Sequence, residues 1–451
     1  GSRRMTPAAA GAAGGGGGGA SGGASSSGMR PQQLPLNSSL YGGTWEALYE
    51  DSSTGRQYTL DVSYVVLCTG LFATPFIPSI PGQELYRGLQ VHSRDFTDAG
   101  VAAGKRVLVV GAGKTAADVV TELTATCRAA EVTLLYRRPH WPLPRFVGPV
   151  SLKSLAYCRL TSAALLPAYY SCGPTGRCAA ACLTPLRKAF WVRFMSRVNA
   201  ELRVKKTLGA PDRPICQDIW YSGQVLDAAK WPRVIHNPKV TAKQGEVAYF
   251  TPVSAVLRDG SVLQPDVVLY ATGYSNHYTF LPPDLRATLD VQRDGLYLYR
   301  HCLAPGLSGL AFVGAEVTTF NNILTAGLQA EWLAAALAGA VHLPPPPAMA
   351  ADVAAQVAWR RRIMPPHKLR GSSVMLFMQA YHDQLLRDMR LPHLRKRPSW
   401  RHPLAECFAP YTALDYRDVF EQQHLQHHQQ HKHQHKHQQQ HQQQHQPRPT
   451  P

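Results

Sequence analysis

Acidic residues are scarce in this sequence. Only 29 Asp and Glu stand against 47 Lys and Arg, which leaves a net charge of +18. So basic a chain suits anionic partners such as nucleic acid or an acidic membrane surface. The charge is spread out, however, and no aromatic-rich nucleic-acid motif accompanies it. Its densest run, residues 387–401, reads as a solvated basic surface. The expectation is no nucleic-acid partner, and at most a weak membrane-surface contact through this basic C-terminal region.

Other absences narrow the field further. No two of the nine cysteines are spaced C-x-x-C, and the one cluster is Cys172, Cys178 and Cys182. That excludes a zinc ribbon and a thioredoxin-type redox pair, and it points to reduced thiols in a cytoplasmic protein. No apolar run is long and unbroken enough to span a bilayer. The best candidate, residues 323–343, contains Gln329, Glu331 and His342 and reads as a buried amphipathic helix. The first residue is Gly, and no signal-peptide pattern follows it. Both ends lack the apolar residues needed to offset their ordering entropy. Residues 8–28 are Gly, Ala and Ser, and residues 421–447 are dominated by His and Gln. The nine histidines between His424 and His445 suit weak chelation of a divalent metal, but such tracts are commonly plain low complexity. No metal site is assigned, and segments 1–39 and 421–451 are expected to be disordered.

Between these ends the pattern is that of a folded α/β protein. Residues 44–50 and 57–61 alternate as two strands around the turn DSSTG at 51–55. Residues 62–70 read as a buried strand, and Pro75, Pro78 and Pro81 make the following connection rigid. Strands are expected over residues 240–257, 261–272 and 309–314. A helix then runs to about residue 340 and is stopped by the prolines at 344–347. Residues 147–230 carry helical patches at 154–166 and 185–204. The stretch from 346 to 420 reads as a helical extension packed on the outside.

The most informative segment is VLVVGAGKTAADVV. An apolar strand at 107–110 leads into G-x-G-x-x-A at Gly111, Gly113 and Ala116. A helix over residues 114–130 and a strand over 132–136 follow. This β-α-β unit implies a parallel sheet. Gly111 permits the tight turn, Gly113 lets the backbone approach a pyrophosphate, and Ala116 takes the third glycine's place where helix meets strand. The free amides and dipole of the helix N-terminus favour the phosphates. Ala112, Lys114, Thr115 and Asp118 complete this candidate cofactor-binding turn. A nucleotide P-loop would need glycine at position 108, which is Leu108. Arg137 and Arg138 follow the second strand, where an acidic residue would hold the ribose of NAD. Two arginines suit the ribose phosphate of NADP instead.

Just upstream lies Tyr86-x-Gly88-x-x-x-His92-x-x-x-Phe96. This resembles the identifying motif of flavin-containing monooxygenases, an aromatic-x-Gly-x-x-x-His-x-x-x-aromatic sequence placed before the NADPH loop. Baeyer–Villiger relatives usually close it with Trp, so Phe96 leans toward the amine- and sulfur-oxidising branch. Read by itself, His92 is a structural hydrogen-bonder. VVLCTG with Thr69 and Gly70 resembles the outbound linker of that family. DVVLYATGY with Thr272 and Gly273 resembles the return linker. LAFVGAEVTT with Gly314 and Glu316, then Gln329 to Trp332, resembles the strand and helix that close the flavin site.

The resemblance implies an α/β fold with two dinucleotide-binding, Rossmann-like domains. The NADPH domain at 76–270, with its elaboration at 147–230, would be inserted into a partial FAD domain at 40–75 and 271–345. The implied cofactors are FAD and NADPH. The implied partners are O2 and a soft nucleophile, an amine or sulfide, oxygenated through a flavin hydroperoxide. The alternatives are a Baeyer–Villiger enzyme or an inactive NADPH-binding remnant. A disulfide-type reductase is excluded by the missing C-x-x-C. Such enzymes begin with a separate strand and G-x-G-x-x-G for FAD, and the only upstream glycine run, at 14–19, has neither strand nor helix around it. The chain is therefore expected to be colourless and inactive alone, with the FAD turn about 100–150 residues before Trp45 in a longer reading frame. No side chain is assigned as catalytic.

Overall fold

A computed structural model of the chain describes residues 5–7, 40, 44–222, 225–275, 278–396 and 404–421. The histidine-rich tail lies outside the described residues, as does most of the glycine-rich segment. Within the latter, Met5–Pro7 forms a short strand, β1, against the expectation of disorder. It pairs antiparallel with β2 (Trp45–Glu50), which forms the expected hairpin with β3 (Gln57–Val62). Asp51 closes the turn between them by accepting from the Ser53 amide at 2.8 Å. The strand expected over 62–70 is shorter, β4 (Val65–Leu67).

The next elements build the main sheet. They are β5 (Leu89–His92), β6 (Arg106–Val110), α1 (Lys114–Ala125) and β7 (Glu131–Tyr136). Helices α2 (Arg159–Leu165), α3 (Thr184–Leu202) and α4 (Ile215–Ser222) then leave the sheet, which resumes with β8 (Val240–Gln244) and β9 (Val267–Tyr270). The five strands are all parallel, in the order β8-β7-β6-β9-β5. Val107 to Val109 and Val267 to Tyr270 are buried, as strands covered on both faces require. Helix α1 covers one face with Ala116, Ala117, Val119, Val120 and Leu123. The fold is α/β, and its sheet is the parallel one that the β-α-β pattern implies.

A second, smaller parallel pair joins β4 to β10 (Leu310–Phe312). Helix α5 (Asn322–Leu337) follows, its first turn capped by the Asn321 side chain, which accepts from the Leu324 amide. The prolines at 344–347 are not what stops it. The amides of Ala340 and Val341 both turn back to Ala335 O, several residues earlier. Helices α6 (Pro346–Ile363) and α7 (Met378–Asp388) complete the chain's regular elements that matter here.

Two expectations fail in this C-terminal part. Helix α7 is not external. Gln379, His382, Asp383 and Gln384 are buried together with Tyr381, Leu385 and Leu386. Each of these side chains makes at least one polar contact, although His382 Nδ1 is left without a hydrogen-bond partner among the described residues. Thr325 Oγ1 meets His382 Nε2 at 2.9 Å, Gln329 donates to the Tyr381 hydroxyl at 2.7 Å, and Arg159 pairs with Asp383 at 2.7 Å. The basic run is not simply solvated either. The Arg395 side chain is 4% exposed and pairs with Asp418, while Lys396 pairs with Asp415 at 2.9 Å. Those two cations are already neutralised within the fold.

At the opposite end of the sheet, Arg106 and Asp266 clasp the starts of β6 and β9. The Asp266 carboxylate accepts from the Arg106 amide at 2.8 Å and from its guanidinium at 2.9 Å. The guanidinium, followed by the amide, holds the carboxyl down from its ordinary 3.8 to about 2. A carboxyl depressed on folding stabilises above its unfolded pKa and loses that contribution as pH falls through the folded value. The expected stability gap between the wild type and Asp266→Asn is therefore constant above about pH 4 and shrinks towards pH 2. Urea unfolding at a series of pH values measures it. A gap independent of pH would show that the clasp carries no charge-dependent stability.

Candidate dinucleotide-binding site

Each residue group singled out in the sequence sits at the C-terminal end of a parallel strand. Gly111 to Ala116 follow β6, Arg137 and Arg138 follow β7, Thr272 and Gly273 follow β9, and His92 ends β5. Thr69 and Gly70 follow β4, and Gly314 and Glu316 follow β10. In open parallel sheets ligands bind in the crevice outside these ends, where the strand order reverses. Here that point lies between β6 and β9, beside the glycine turn.

The two glycines of the turn answer different constraints. Gly111 has φ +142°, and a Cβ there would stand 2.3 Å from the Ala271 carbonyl oxygen. Its amide donates to Leu135 O at 2.9 Å, so the turn is locked between both neighbouring strands. Gly113 is extended, at φ −83°, and a Cβ there would meet nothing within 4 Å. Its freedom from side chain therefore keeps open the space in front of α1. No side chain caps that helix, which leaves its first amides for a ligand. Ala116 is 1% exposed and packs into the core, as the third position of the motif requires. Lys114 and Asp118 are paired with one another on the helix surface. Arg137 and Arg138 are exposed beyond β7. These residues fit a dinucleotide pyrophosphate.

The motif around His92 is explained by packing. The Tyr86 ring lies over Gly88, where a Cβ would be 2.5 Å from ring atoms. Tyr86 packs on Phe250 with centroids 5.2 Å apart, and its hydroxyl donates to Pro265 O. His92 is buried. Its Nδ1 accepts from the Arg94 amide at 3.2 Å, which leaves Nε2 to carry the proton and donate to Gly273 O at 3.0 Å. His92 thus fastens β5 to the return linker. Phe96 packs against the main core. The two linkers pair directly: Tyr274–Ser275 runs antiparallel to Thr74–Pro75, and the Phe76 amide donates to Gly273 O at 2.9 Å. Thr272 Oγ1 returns the bond to Phe76 O.

One residue at this junction carries no sequence signal. Lys368 comes from the loop between α6 and α7. Although its side chain is exposed overall, its ammonium tip donates to Tyr274 O at 3.0 Å and lies 4.6 Å from the Phe76 ring centre. Desolvation of that tip, then the Arg137 charge, holds its pKa below the ordinary lysine value.

The residues expected at the flavin are more engaged internally. The Gly314 amide donates to Gln329 Oε1 at 2.8 Å, and Gln329 donates in turn to Tyr381. Glu316 is buried, and its carboxylate accepts from the Tyr278 hydroxyl. Thr69 is exposed and Gly70 partly so. Among the described residues, the turn at Gly111 is the one strand–glycine–helix arrangement that suits a pyrophosphate. The described residues thus fit one dinucleotide, not the adenylate half of a second.

These contacts set opposite expectations for neighbouring glycines. Gly111→Ala and Gly88→Ala each force a Cβ into fixed atoms, at an expected cost of about 2–4 kcal/mol for the first and about 1–3 kcal/mol for the second. Gly113→Ala should stay within about 1 kcal/mol of the wild type, since its conformation and space both admit alanine. Denaturant unfolding of the three variants ranks them; a Gly113→Ala as unstable as Gly111→Ala would contradict the open space in front of α1.

Comparison with known proteins agrees with this geometry. Flavin-containing monooxygenase 3 of Oryctolagus cuniculus is 26% identical over 327 residues, covering 69% of this chain and 54% of the relative. Dimethylaniline monooxygenase [N-oxide-forming] 4 of the same species is 28% identical and covers 69% and 52%. A 4-hydroxybenzoate brominase (decarboxylating) of Pseudoalteromonas luteoviolacea is 26% identical and covers 67% and 55%. The chain thus spans about half the length of the curated relatives it matches. Cyclohexanone monooxygenase from Rhodococcus sp. Phi1, solved with NADP+, shares the fold at 18% identity and a TM-score of 0.51, covering 76% of this chain and 75% of that one. FAD and NADPH are the cofactors of this group of proteins. Since the family model described as flavin-binding monooxygenase-like matches residues 36–151 and 222–386, which hold both linkers, the His92 motif and the glycine turn, the chain belongs to the flavin-binding monooxygenase-like family.

Proposed function

We propose that this chain supplies the NADPH-binding part of a flavin-dependent monooxygenase that places one oxygen atom of O2 on an amine or sulfide. The observation that carries this reading is the open face before Gly113 at an uncapped helix N-terminus, beside the exposed Arg137 and Arg138, which form no ion pair among the described residues. When bound, NADPH supplies a hydride and the flavin supplies the oxygen chemistry. The residues of this chain bind and orient. Gly111 and Gly113 admit the pyrophosphate, the first amides of α1 meet its charge, and Arg137 and Arg138 answer the ribose phosphate. His92, Gly273 and Phe76 fix the paired linkers on which the two halves of the site would meet. Phe96 in place of Trp favours the amine and sulfide branch over a Baeyer–Villiger reaction.

A second reading has its own support. The Gly314 amide is taken up by Gln329, and one pyrophosphate turn is found among the described residues. A chain that binds NADPH without oxygenating anything fits those facts. Absorbance near about 450 nm in the purified protein, with NADPH-dependent oxygen uptake on an amine or sulfide, supports the enzyme. A colourless protein that still binds NADPH supports the second reading.

Membrane partners are limited by one fact: among the described residues no helix is long and apolar enough to cross a bilayer. For the dinucleotide itself, NADPH is expected to bind more tightly than NADH. Losing one charge-assisted contact through Arg138→Ala should cost about 1.5–3 kcal/mol for NADPH. Gly113→Val should abolish binding of both cofactors while leaving the protein folded, because its side chain would fill the approach. Calorimetric titration of each variant, with circular dichroism as the check on folding, decides. Normal NADPH binding by folded Gly113→Val would remove the turn from the site.

A further inference from the structure

The family match is interrupted between residues 151 and 222, which is where α2, α3 and nearly all of α4 lie. The end of that segment is tied to the end of β7 by three hydrogen bonds. The Tyr136 hydroxyl donates to Leu208 O at 2.9 Å, Trp141 Nε1 donates to Arg213 O at 2.7 Å, and the Trp141 amide donates to Asp218 at 2.6 Å. These bonds hold residues 211–213 opposite residues 138–140. Between them is a small surface depression, walled by Pro139 and Pro211 and lined by Arg138, His140, Asp212, Arg213 and Asp218.

The two arginines and two aspartates of this depression balance formally, but they are not paired with one another. Asp218 is 4% exposed, and its two oxygens are occupied by the Trp141 amide and by His140 Nδ1, the latter at 2.9 Å. Asp212 is exposed at the rim. Among the described residues neither Arg138 nor Arg213 has a carboxylate within ion-pair distance, and neither side chain makes a hydrogen bond. Arg137 does not line the depression; its charge is felt by Lys368 instead. The two arginines that follow β7 therefore face different surroundings.

We infer that Arg213, contributed by the inserted helical segment, completes with Arg138 the pocket for the ribose 2′-phosphate of NADPH. The inference rests on the dinucleotide reading given above. A phosphate monoester carries nearly two charges, and two planar guanidiniums can each offer it paired N–H donors. Arg138 arrives from the strand next to the glycine turn, where a bound dinucleotide places its adenosine ribose. Arg213 arrives from across the depression, and its position is set by its own backbone through Trp141. Asp212 opposes the phosphate at the rim. Cofactor choice then depends on a residue outside the matched family segments.

The full-length chain is titrated calorimetrically with NADPH and with NADH, as wild type, Arg213→Ala, Arg213→Lys and Asp212→Asn. The expected result is a loss of about tenfold or more in NADPH affinity for Arg213→Ala, with NADH unchanged. Arg213→Lys should fall between, because it keeps the charge without the planar fork. Asp212→Asn should tighten NADPH and leave NADH alone. Wild-type preference for NADPH that persists undiminished in Arg213→Ala overturns the inference while leaving the dinucleotide reading intact. Equal loss of NADPH and NADH overturns it too, since the arginine would then act on the fold. A wild type that binds neither cofactor, or both equally, overturns the NADPH reading itself.

Discussion

The close approach of Gly111 to Ala271 is the constraint on which the site depends. Strand β9 lies between β6 and β5, so its C-terminal end is pressed against the glycine turn on one side and His92 on the other. Only a residue without a Cβ leaves room for the Ala271 carbonyl. His92 then fixes the next carbonyl but one, that of Gly273. The turn, the motif histidine and the return linker are therefore one rigid unit, although they are far apart in sequence. Its rigidity positions the open face before Gly113.

Elsewhere, polar side chains do much of the work of joining the C-terminal helices to the rest. Gln329 connects Gly314 to Tyr381, Arg300 connects Asp388 at 2.7 Å to Asp352 at 3.4 Å, and Asp294 receives both Arg361 and Arg370. Groups that are fully partnered rigidify a core, whereas removing one partner strands the other. His301 illustrates the balance. Burial, and after it the Arg360 charge, keeps its pKa far below the ordinary value, so it stays neutral, donating from Nδ1 to Glu316 O and accepting from Arg360 at Nε2. Arg360 is thereby buried without a carboxylate, held by the carbonyls of Arg370 and Ser373 and by the neutral His301.

The sequence by itself determined the local features. The glycine turn, the β-α-β unit around it and the hairpin at 45–62 are all encoded by neighbours a few residues apart, through periodicity, glycine placement and β-branched runs. The assignment of Arg137 and Arg138 to the end of a strand was legible for the same reason. The two linkers were recognised by likeness to a family, and only the structure showed that they pair. Tertiary structure decided the rest. Helix α7 was expected on the outside, and partners such as Thr325 and Gln329 on α5 and Arg159 on α2 make its burial tolerable. Arg395 and Lys396 looked solvated because their carboxylates lie about twenty residues further on. Lys368 and Arg213 had no signal at all, since each reaches the site from a loop whose position depends on bonds to distant backbone. Contacts between residues close in sequence follow from chain geometry; contacts between distant ones exist only after the sheet has chosen its strand order.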